Sequence, residues 1–238
     1  MNFVEDDTIK DFDLDSYIKN NENRKPNRVG LYRVNCLVIG KTGSGKTTTL
    51  IKWLLSNNME TFGLIICIIP RESMDSGIYS RLSGKDPRFV FCVIGEDKLP
   101  SISDINEISN SIKQPIALVL DDFITVFNKE NWKQFERYIT QLSRVSHGCS
   151  LFALSQNLQF IKPVWKKNFN CFCIFVNSFT YRQFNDFMTS YYDGFSFSKH
   201  QLKDIYDTLK QDIHTPLWLF NNGSDRSILY GNVWIMLE

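Results

Sequence analysis

Residues 37–50 of the sequence read LVIGKTGSGKTTTL. An apolar run leads into a glycine-rich turn, and residues 40–47 fit the pattern G-x-x-x-x-G-K-[ST] at every fixed position. Glycines allow positive φ and close backbone approach, so successive N–H groups can point at phosphate oxygens. A helix that starts near Lys46 adds the positive end of its dipole. The stretch therefore predicts a phosphate-binding loop between a buried strand and a helix.

The residues of this loop have predicted parts in holding a nucleotide and its metal ion. Lys46 should reach the β- and γ-phosphates as a catalytic cation, and the Thr47 hydroxyl should ligate Mg²⁺. Nucleotide contacts are expected along the whole loop, from Gly40, Lys41, Thr42, Gly43, Ser44, Gly45, Lys46, Thr47 and Thr48. The alternative is a purely structural glycine turn, which the strand before the loop and the apolar helix after it argue against.

A second motif supplies the carboxylates that such a loop needs. In IALVLDDF, residues 116–123, an apolar strand ends in two acids, which is the Walker B arrangement. Asp121 is expected in the shell of the Mg²⁺ ion. Asp122 is the candidate base that orients or deprotonates the attacking water. The alternative is that the two acids cap a helix.

A third polar strand end lies in SLFALSQNLQ, residues 150–159. A polar side chain at the carboxyl end of a parallel strand faces the crevice in which ligands bind. Gln156 is therefore a catalytic candidate that could donate to the γ-phosphate, accept from water and respond to the state of the nucleotide. The alternative is an ordinary turn residue.

The fold class follows from the alternation of apolar runs and helical patterns. Strand-length runs that are apolar almost throughout occur at 33–39, 63–69, 89–95, 115–120, 149–155 and 171–176. Helical spacing of apolar residues occurs at 102–112, 132–142 and 202–209. These patterns predict a three-layer α/β domain with a mostly parallel sheet between helices. Together with the glycine loop of residues 40–47, this architecture is expected to be a P-loop NTPase fold of the RecA-like kind. Two β-rich runs flank NNGSD, residues 221–225, which predicts a C-terminal β-hairpin.

Length and composition limit the remaining possibilities. The 238 residues fit one domain at 31–238, preceded by a polar arm at 1–30. A net charge of +1 excludes a protein that coats nucleic acid by charge alone, so any contact with DNA must be a local patch. We expect no membrane span, because no run approaches about 18 apolar residues. The six cysteines lie mostly in apolar runs and are expected to be buried and reduced, in an intracellular compartment.

Two nucleotide-binding classes lack their second motif in this sequence. A Ras-type GTPase needs N-K-x-D for guanine, and residues 128–131 read NKEN, without the aspartate. An ABC ATPase needs LSGGQ shortly before the Walker B strand, and the partial string LSGK at 82–85 lies too early.

The remaining combination resembles the FtsK–HerA group of DNA-pumping ATPases. Within that group it looks like the short genome-packaging ATPases of double-stranded DNA viruses, the poxvirus type and its relatives in giant viruses, virophages and Maverick-like elements. The residues that carry the likeness are GKTGSGKT (40–47), LVLDDF (118–123) and SRVSHGCSLFALSQNL (143–158), and the likeness covers residues 33–180.

The resemblance implies an ATPase that uses ATP and Mg²⁺, forms a homo-oligomeric ring (a pentamer or hexamer) around duplex DNA, and drives that DNA into a preformed capsid. A capsid or vertex protein is then an expected partner, and the host cytoplasm, the nucleus or the virion is the expected location.

A cationic finger from a neighbouring subunit would couple hydrolysis in such a ring to assembly. Arg144 is the first candidate, with Arg137, Arg71 and Arg182 behind it, although each could be a surface or salt-bridge arginine. In this family an arginine and a histidine often stand side by side before the strand that ends in Gln, whereas Arg144 and His147 are separated here.

A compact basic and aromatic patch lies in IKPVWKKNF, residues 161–169. Lys162, Trp165, Lys166 and Lys167 are predicted to contact the DNA backbone near the nucleotide side of the domain. Such contacts give affinity without sequence preference. The alternative is a solvated surface.

Three other functions share parts of this pattern. A HerA-like cellular translocase or helicase would have the same site, but it usually carries extra domains. A P-loop nucleoside kinase needs a lid with several arginines, and the arginines here are scattered. A nucleotide-gated binding module would bind ATP with little turnover.

Overall fold

The computed structural model of the protein describes residues 34–57, 62–75, 77–156, 162, 165, 167–191, 199–212, 214–222, 225–230 and 233–237. The predicted polar arm at 1–30 and the predicted DNA contact Lys166 lie outside the described residues.

Strands and helices alternate along most of the described chain. The strands are β1 (Asn35–Ile39), β2 (Leu64–Ile69), β3 (Phe89–Val93), β4 (Ile116–Leu120), β5 (Cys149–Ser155), β6 (Cys171–Ile174), β7 (Leu217–Asn222), β8 (Asp225–Tyr230) and β9 (Val233–Leu237). The helices are α1 (Lys46–Asn57), α2 (Arg71–Asp75), α3 (Gly77–Leu82), α4 (Ile102–Ile112), α5 (Lys129–Gln141), α6 (Tyr181–Tyr191) and α7 (Lys199–Leu209). Every apolar run that was predicted to be a strand is one, and the three predicted helices correspond to α4, α5 and α7.

The strands of the described residues form one sheet in the order β3-β2-β4-β5-β1-β6-β7-β8-β9. Strands β1 to β6 pair in parallel, and β7, β8 and β9 are antiparallel to their neighbours. The predicted hairpin is confirmed, since Asn222 of β7 pairs with Asp225 of β8. The run after it forms two strands rather than one, since β8 and β9 pair antiparallel to each other.

The sheet has a separate apolar core on each face. Successive side chains of a strand point to opposite faces. In β1, Leu37 and Ile39 belong to one core, and Cys36 and Val38 belong to the other. Helices α4, α5, α6 and α7 cover the first core, and α1 and α3 cover the second. Helices on both faces confirm the predicted three-layer α/β architecture.

Side-chain caps fix where α4 and α5 begin. The Ser101 hydroxyl accepts from the Asp104 N–H at 3.1 Å, and the Asp104 carboxylate accepts from the Ser101 N–H at 2.8 Å. This reciprocal pair is a capping box. The Asn128 side chain accepts from the N–H groups of Glu130 and Asn131, each at 2.9 Å. The caps therefore fix where the segments after β3 and β4 end and the helices begin.

The strand order brings the three predicted motifs to one edge of the sheet. Strand β5 lies between β1 and β4. The residues that directly follow these strands are Gly40 after β1, Asp121 after β4 and Gln156 after β5. Ligands of open α/β sheets bind at this carboxyl edge.

All six cysteines are buried and have no disulfide, as predicted. Cys171 and Cys173 point into the same core as Cys36, on the face that α1 and α3 cover, so the C-x-C pair is part of the packing. Within the described ranges, no helix combines the length and the apolar character needed to cross a membrane.

Candidate active site

The loop after β1 has the backbone shape that its glycines allow. Gly43 has a φ of 78° and Gly45 a φ of 91°, a region that other residues rarely adopt. A Cβ on Gly40 would lie 2.5 Å from the Ser44 hydroxyl oxygen and 2.9 Å from a ring carbon of Phe175. Backbone conformation thus requires the later glycines, and close approach requires Gly40. Helix α1 begins at Lys46, so the loop ends at a helix N-terminus, where anions are favoured.

Neighbouring segments hold the start of this loop in place. The Gly40 N–H donates to the Ser155 carbonyl at the end of β5, at 3.2 Å. The Lys41 N–H donates to the hydroxyl of Ser178, in the turn after β6, at 2.7 Å. The loop is therefore tied to the ends of both strands that flank β1.

Lys46 is 7% exposed, although it carries a charge. Its ammonium group donates to the Lys41 carbonyl at 3.0 Å, which holds the side chain over the loop. Burial lowers the pKa of Lys46 below its ordinary value, although the carboxylates of Asp121 and Asp122 raise it. The arrangement places a cation beside the loop amides, where a phosphate would meet both.

Asp121 is 2% exposed and lies at the centre of a hydrogen-bonded group. Its Oδ2 accepts from the Thr47 hydroxyl at 2.5 Å and from the Tyr79 hydroxyl at 2.9 Å, and its Oδ1 accepts from the Asp122 N–H at 3.0 Å. Burial raises the pKa of Asp121, while the bonds from Thr47 and Tyr79 lower it. Burial and the neighbouring Asp121 raise the pKa of Tyr79 well above its ordinary value, so the phenol stays a donor.

Asp122 adopts a left-handed conformation, with a φ of 49° and a ψ of 24°. Its side chain is exposed, unlike that of Asp121. One carboxylate oxygen lies 3.4 Å from the Gln156 amide nitrogen, and the other lies 3.4 Å from the Ser73 hydroxyl. The two adjacent acids therefore face different surroundings, one buried and one at the cleft.

These residues enclose an open cleft of about 210 Å³. Its lining residues are Thr42, Gly43, Gly45, Lys46, Thr47, Thr48, Asp121, Asp122 and Gln156. Gly40, Lys41 and Ser44 belong to the same loop. The three predicted motifs thus meet in one site, and the catalytic roles assigned to Lys46, Asp122 and Gln156 stay predictions.

The oxygen groups of this cleft fit a magnesium ion. Thr47 and Asp121 offer the hard oxygen donors that Mg²⁺ prefers. Among the described residues, no group of three or more His, Cys, Asp or Glu side chains could hold a metal ion by itself. Mg²⁺ is usually held by one or two carboxylates together with substrate phosphates. The site therefore suits an ion that arrives with a nucleotide.

No family model matches the sequence, and no curated protein matches it. Solved structures do resemble the fold. The DNA-packaging ATPase B204 from Sulfolobus turreted icosahedral virus aligns with a TM-score of 0.55 and 16% identity, over 86% of this chain and 100% of that chain. The genome-packaging NTPase B204 from Sulfolobus turreted icosahedral virus 2, in complex with AMPPCP, gives 0.53 and 14%, over 84% and 98%. Its complex with sulfate gives 0.50 and 15%, over 83% and 94%.

The glycine loop between β1 and α1, at the carboxyl edge of this sheet, agrees with that similarity. The chain has a P-loop NTPase fold. The proteins that share this P-loop NTPase fold with it include viral packaging ATPases, the kind of protein that its sequence motifs resemble. At these identities the similarity concerns the fold.

Arg144 lies far from the cleft of its own chain. It is exposed, in a 3₁₀ turn (Leu142–Arg144) that precedes β5, whereas the cleft is at the other end of that strand. A seven-residue strand is about 20 Å long. A finger role for Arg144 could therefore only be played in a neighbouring subunit, and it stays a prediction.

The other candidate arginines are placed differently. Arg71 begins α2, forms a two-pronged ion pair with Glu96 and lies 3.8 Å from Asp75. Arg182 lies near the start of α6, with a side chain that is 92% exposed. Arg137 is exposed on α5. No arginine is among the described residues that line the cleft.

The structure corrects the predicted DNA patch at its tryptophan. Trp165 is only 3% exposed, because its ring stacks on Trp132 and its N–H points at Glu136 at 3.3 Å, so it belongs to the core. Asn168 and Asn170 bond to Asn35 at the start of β1, which places the end of this segment at the amino edge of the sheet.

Two of the three lysines of the patch are among the described residues. Lys162 and Lys167 are exposed, and the Lys162 ammonium lies 4.5 Å from the centre of the Trp165 ring. Lys162, Lys166 and Lys167 therefore stay predicted DNA contacts, without the tryptophan.

Sequence reasoning missed three side chains of the site. Tyr79 and Ser73 come from α3 and α2, the short helices after β2, and Ser178 follows β6. Each side chain reaches the site because its strand lies beside a strand of the site. Strand β2 pairs with β4, which precedes the two acids, and β6 pairs with β1, which precedes the glycine loop. The sequence shows each of them as a polar residue shortly after an apolar run. The strand order is needed to know which of these residues come to the site.

Proposed function

We propose that this protein is an ATPase that translocates double-stranded DNA and, as a ring of identical subunits, packages a viral genome into a preformed capsid. The observation that carries the proposal is the convergence of the glycine loop, the Asp121–Asp122 pair and Gln156 on one cleft. The fold similarity to viral packaging ATPases supports the choice of substrate.

The loop would bind the triphosphate of ATP. Loop amides and the start of α1 would face the phosphate oxygens, and Lys46 would move from the Lys41 carbonyl to the β- and γ-phosphates. Because Lys46 is largely buried, its charge acts in a medium of low polarity, where it stabilises developing negative charge more strongly than in water.

Thr47 and Asp121 would hold the magnesium ion of MgATP. A bound ion would supply positive charge against the negative charge that develops on the phosphate oxygens. Thr47 has one proton, which it donates to Asp121, so its lone pairs are left to face the cation. The Asp121 carboxylate is in turn fixed on both of its oxygens.

Asp122 would take the proton of the attacking water or orient that water. Its carboxylate is exposed to the cleft, and its left-handed backbone turns it away from the buried Asp121. Gln156, at 3.4 Å, would position the same water or report the γ-phosphate. Phosphoryl transfer depends mainly on such positioning and on charge neutralisation.

Assembly into a ring would complete the catalytic site and strengthen the binding of DNA. An arginine from a neighbouring subunit, Arg144 first, would add the remaining positive charge, a contribution of roughly 10³–10⁵ in rate. A ring also multiplies a weak lysine patch by its copy number, which reconciles a net charge of +1 with duplex binding. A capsid or vertex protein would receive the ring, in the host cytoplasm, in the nucleus or at the virion.

The decisive experiment measures ATP turnover of the purified protein with and without duplex DNA, and the mass of the assembly in solution. We expect Mg²⁺-dependent turnover that duplex DNA raises, a stimulation that fades as salt increases, and a mass of several subunits when ATP is bound. Stimulation by a nucleoside in place of DNA would instead indicate a nucleoside kinase. ATP binding with negligible turnover in either condition would indicate a nucleotide-gated binding module.

A further inference from the structure

Tyr79 is a buried tyrosine whose hydroxyl reaches the metal side of the cleft. The residue is 2% exposed and lies in α3, which packs on the same face of the sheet as α1. Its ring meets Phe91 of β3 edge-on, with centroids 6.1 Å apart, and its hydroxyl donates to Asp121 at 2.9 Å. Ile78 and Leu82 of the same short helix are buried beside it. The packing of α3 therefore sets where this hydroxyl lies.

We propose that Tyr79 is a positioning residue for the divalent cation: its hydroxyl holds the Asp121 carboxylate in the orientation from which Thr47 and Asp121 grip the cation of MgATP. This inference rests on the proposed nucleotide site and names a further residue of it.

The hydrogen bonds of Asp121 show why the phenol matters. Among the described residues, Thr47 and Tyr79 are the two side chains that donate to Asp121, and both donate to the same oxygen, Oδ2. The other oxygen is occupied by the backbone N–H of Asp122. Without Tyr79, rotation of the carboxylate would be opposed on the Oδ2 side only by the Thr47 hydroxyl, the group that has to face the cation.

Tyr79 would act on the cation through two bonds. It orients Asp121, Asp121 accepts the Thr47 proton, and the direction of that proton fixes where the Thr47 lone pairs point. Groups that orient metal ligands in this way typically change metal affinity by roughly 10–100-fold when they are removed. The competing explanation is that Tyr79 only fills the core against Phe91. In that case loss of the hydroxyl would reduce stability and leave the cation dependence unchanged.

Tyr79→Phe tests the proposal, because it keeps the ring and removes only the hydroxyl. The readout is the affinity for ATPγS, by calorimetry, as a function of Mg²⁺ concentration, at a temperature where circular dichroism shows the protein folded. We expect a roughly tenfold or greater rise in the Mg²⁺ concentration that gives half of the maximal increase in ATPγS affinity. The ATPγS affinity in excess EDTA should change little. An unchanged Mg²⁺ dependence would overturn the proposal.

Tyr138→Phe is the matched control. Tyr138 is also a fully buried tyrosine, and its hydroxyl donates to the Pro100 carbonyl at 2.6 Å, away from the residues that line the cleft. Both variants lose one buried hydroxyl, and we expect a comparable fall in melting temperature. Only Tyr79→Phe should alter the Mg²⁺ dependence; an equal change in Tyr138→Phe would assign the effect to general destabilisation and overturn the proposal.

A double variant separates an effect through Asp121 from a direct one. In an Asp121→Asn background, Tyr79→Phe should add little further change, because the carboxylate that it positions is gone. Full additivity of the two changes would overturn the proposal. Failure of the proposed function looks different: the unmodified protein would then bind no ATPγS in Mg²⁺, and no comparison between variants would arise.

Discussion

Thr47 and Asp121 are joined by a hydrogen bond of 2.5 Å, although 74 positions separate them in the chain. The bond links the first turn of α1 to the end of β4, and it spans the strand that lies between β1 and β4 in the sheet. The two residue types that sequence patterns assign to one metal ion are thus in direct contact. The contact depends on the order of the three parallel strands β4, β5 and β1 in the sheet.

Thr47→Val should weaken Mg²⁺-dependent ATP binding. Valine has nearly the same shape, but it offers neither a ligand to the cation nor a donor to Asp121. We expect MgATP affinity to fall by roughly 10–100-fold, as is typical when support of a metal ligand is lost. Thr47→Ser keeps the hydroxyl and should retain most of the affinity. Equal loss in the two variants, measured by calorimetry, would argue against a role of the hydroxyl.

Lys46→Ala should reduce ATP hydrolysis to a small fraction of its rate and leave the fold intact. The ammonium is the positively charged side-chain group among the described residues that line the cleft, and loss of such a stabilising group costs roughly 10²–10³ in rate. Lys41→Ala is the control, because Lys41 has an exposed side chain and contributes to the loop through its backbone. Phosphate release and circular dichroism measure the two properties. Full turnover in Lys46→Ala would remove the phosphate-loop assignment.

Asp122→Asn should bind MgATP and stall before hydrolysis. Asparagine tolerates the left-handed backbone of this position, with its φ of 49°, so the local structure should persist. Loss of a general base typically costs roughly 10²–10⁴ in rate. Single-turnover hydrolysis and calorimetry separate chemistry from binding. If nucleotide binding is lost instead, Asp122 is a metal ligand and the two acids exchange their assigned roles.

The parts of the site that the sequence could predict are those in which a local pattern has one physical explanation. The glycine loop needs positive φ at Gly43 and Gly45, and both adopt it. Apolar runs that end in Asp121 and Gln156 are buried strands, and their polar ends lie at the ligand edge. Such inferences need only the chain neighbours of each residue.

The parts that could not be predicted depend on which elements become neighbours. Tyr79 reaches Asp121 because β2 lies beside β4, and a single sequence does not reveal strand order. Trp165 looked like a surface aromatic between lysines, yet Trp132 and Phe135 of α5 bury it. Local composition favoured an exposed tryptophan in that segment, but tertiary packing buries it.

The lysine pair Lys162 and Lys167 should contribute to DNA affinity by charge alone. In the variant with both changed to Ala, the slope of log affinity against log salt should fall by about one per lysine, equally for unrelated duplex sequences. Lys210→Ala removes an exposed lysine at the end of α7 and serves as the control. Fluorescence anisotropy at several salt concentrations measures the slope. A slope unchanged from that of the unmodified protein would place the DNA contact elsewhere.

Asp86 and Arg88 should make stability depend on acid pH. Burial raises the pKa of Asp86, but the hydrogen bonds from Arg88 outweigh it and leave the pKa below its ordinary value. A carboxyl with a lowered pKa in the folded state adds stability above its unfolded pKa of about 3.9, and this stability is lost as pH falls through the folded pKa.

Asp86→Asn should therefore lower the free energy of unfolding at pH 7 by about 1–3 kcal/mol, because it removes the carboxylate to which the Arg88 side chain donates at 3.0, 3.2 and 2.6 Å. The difference between variant and unmodified protein should shrink as pH falls towards 4 and below. Asp75→Asn is the control, since that carboxylate is 65% exposed and 3.8 Å from Arg71, and exposed pairs contribute about 0–1 kcal/mol. Urea denaturation between pH 7 and the acid limit of folding gives both values. A loss in Asp86→Asn that stays constant with pH would show that the aspartate acts through packing rather than through its charge.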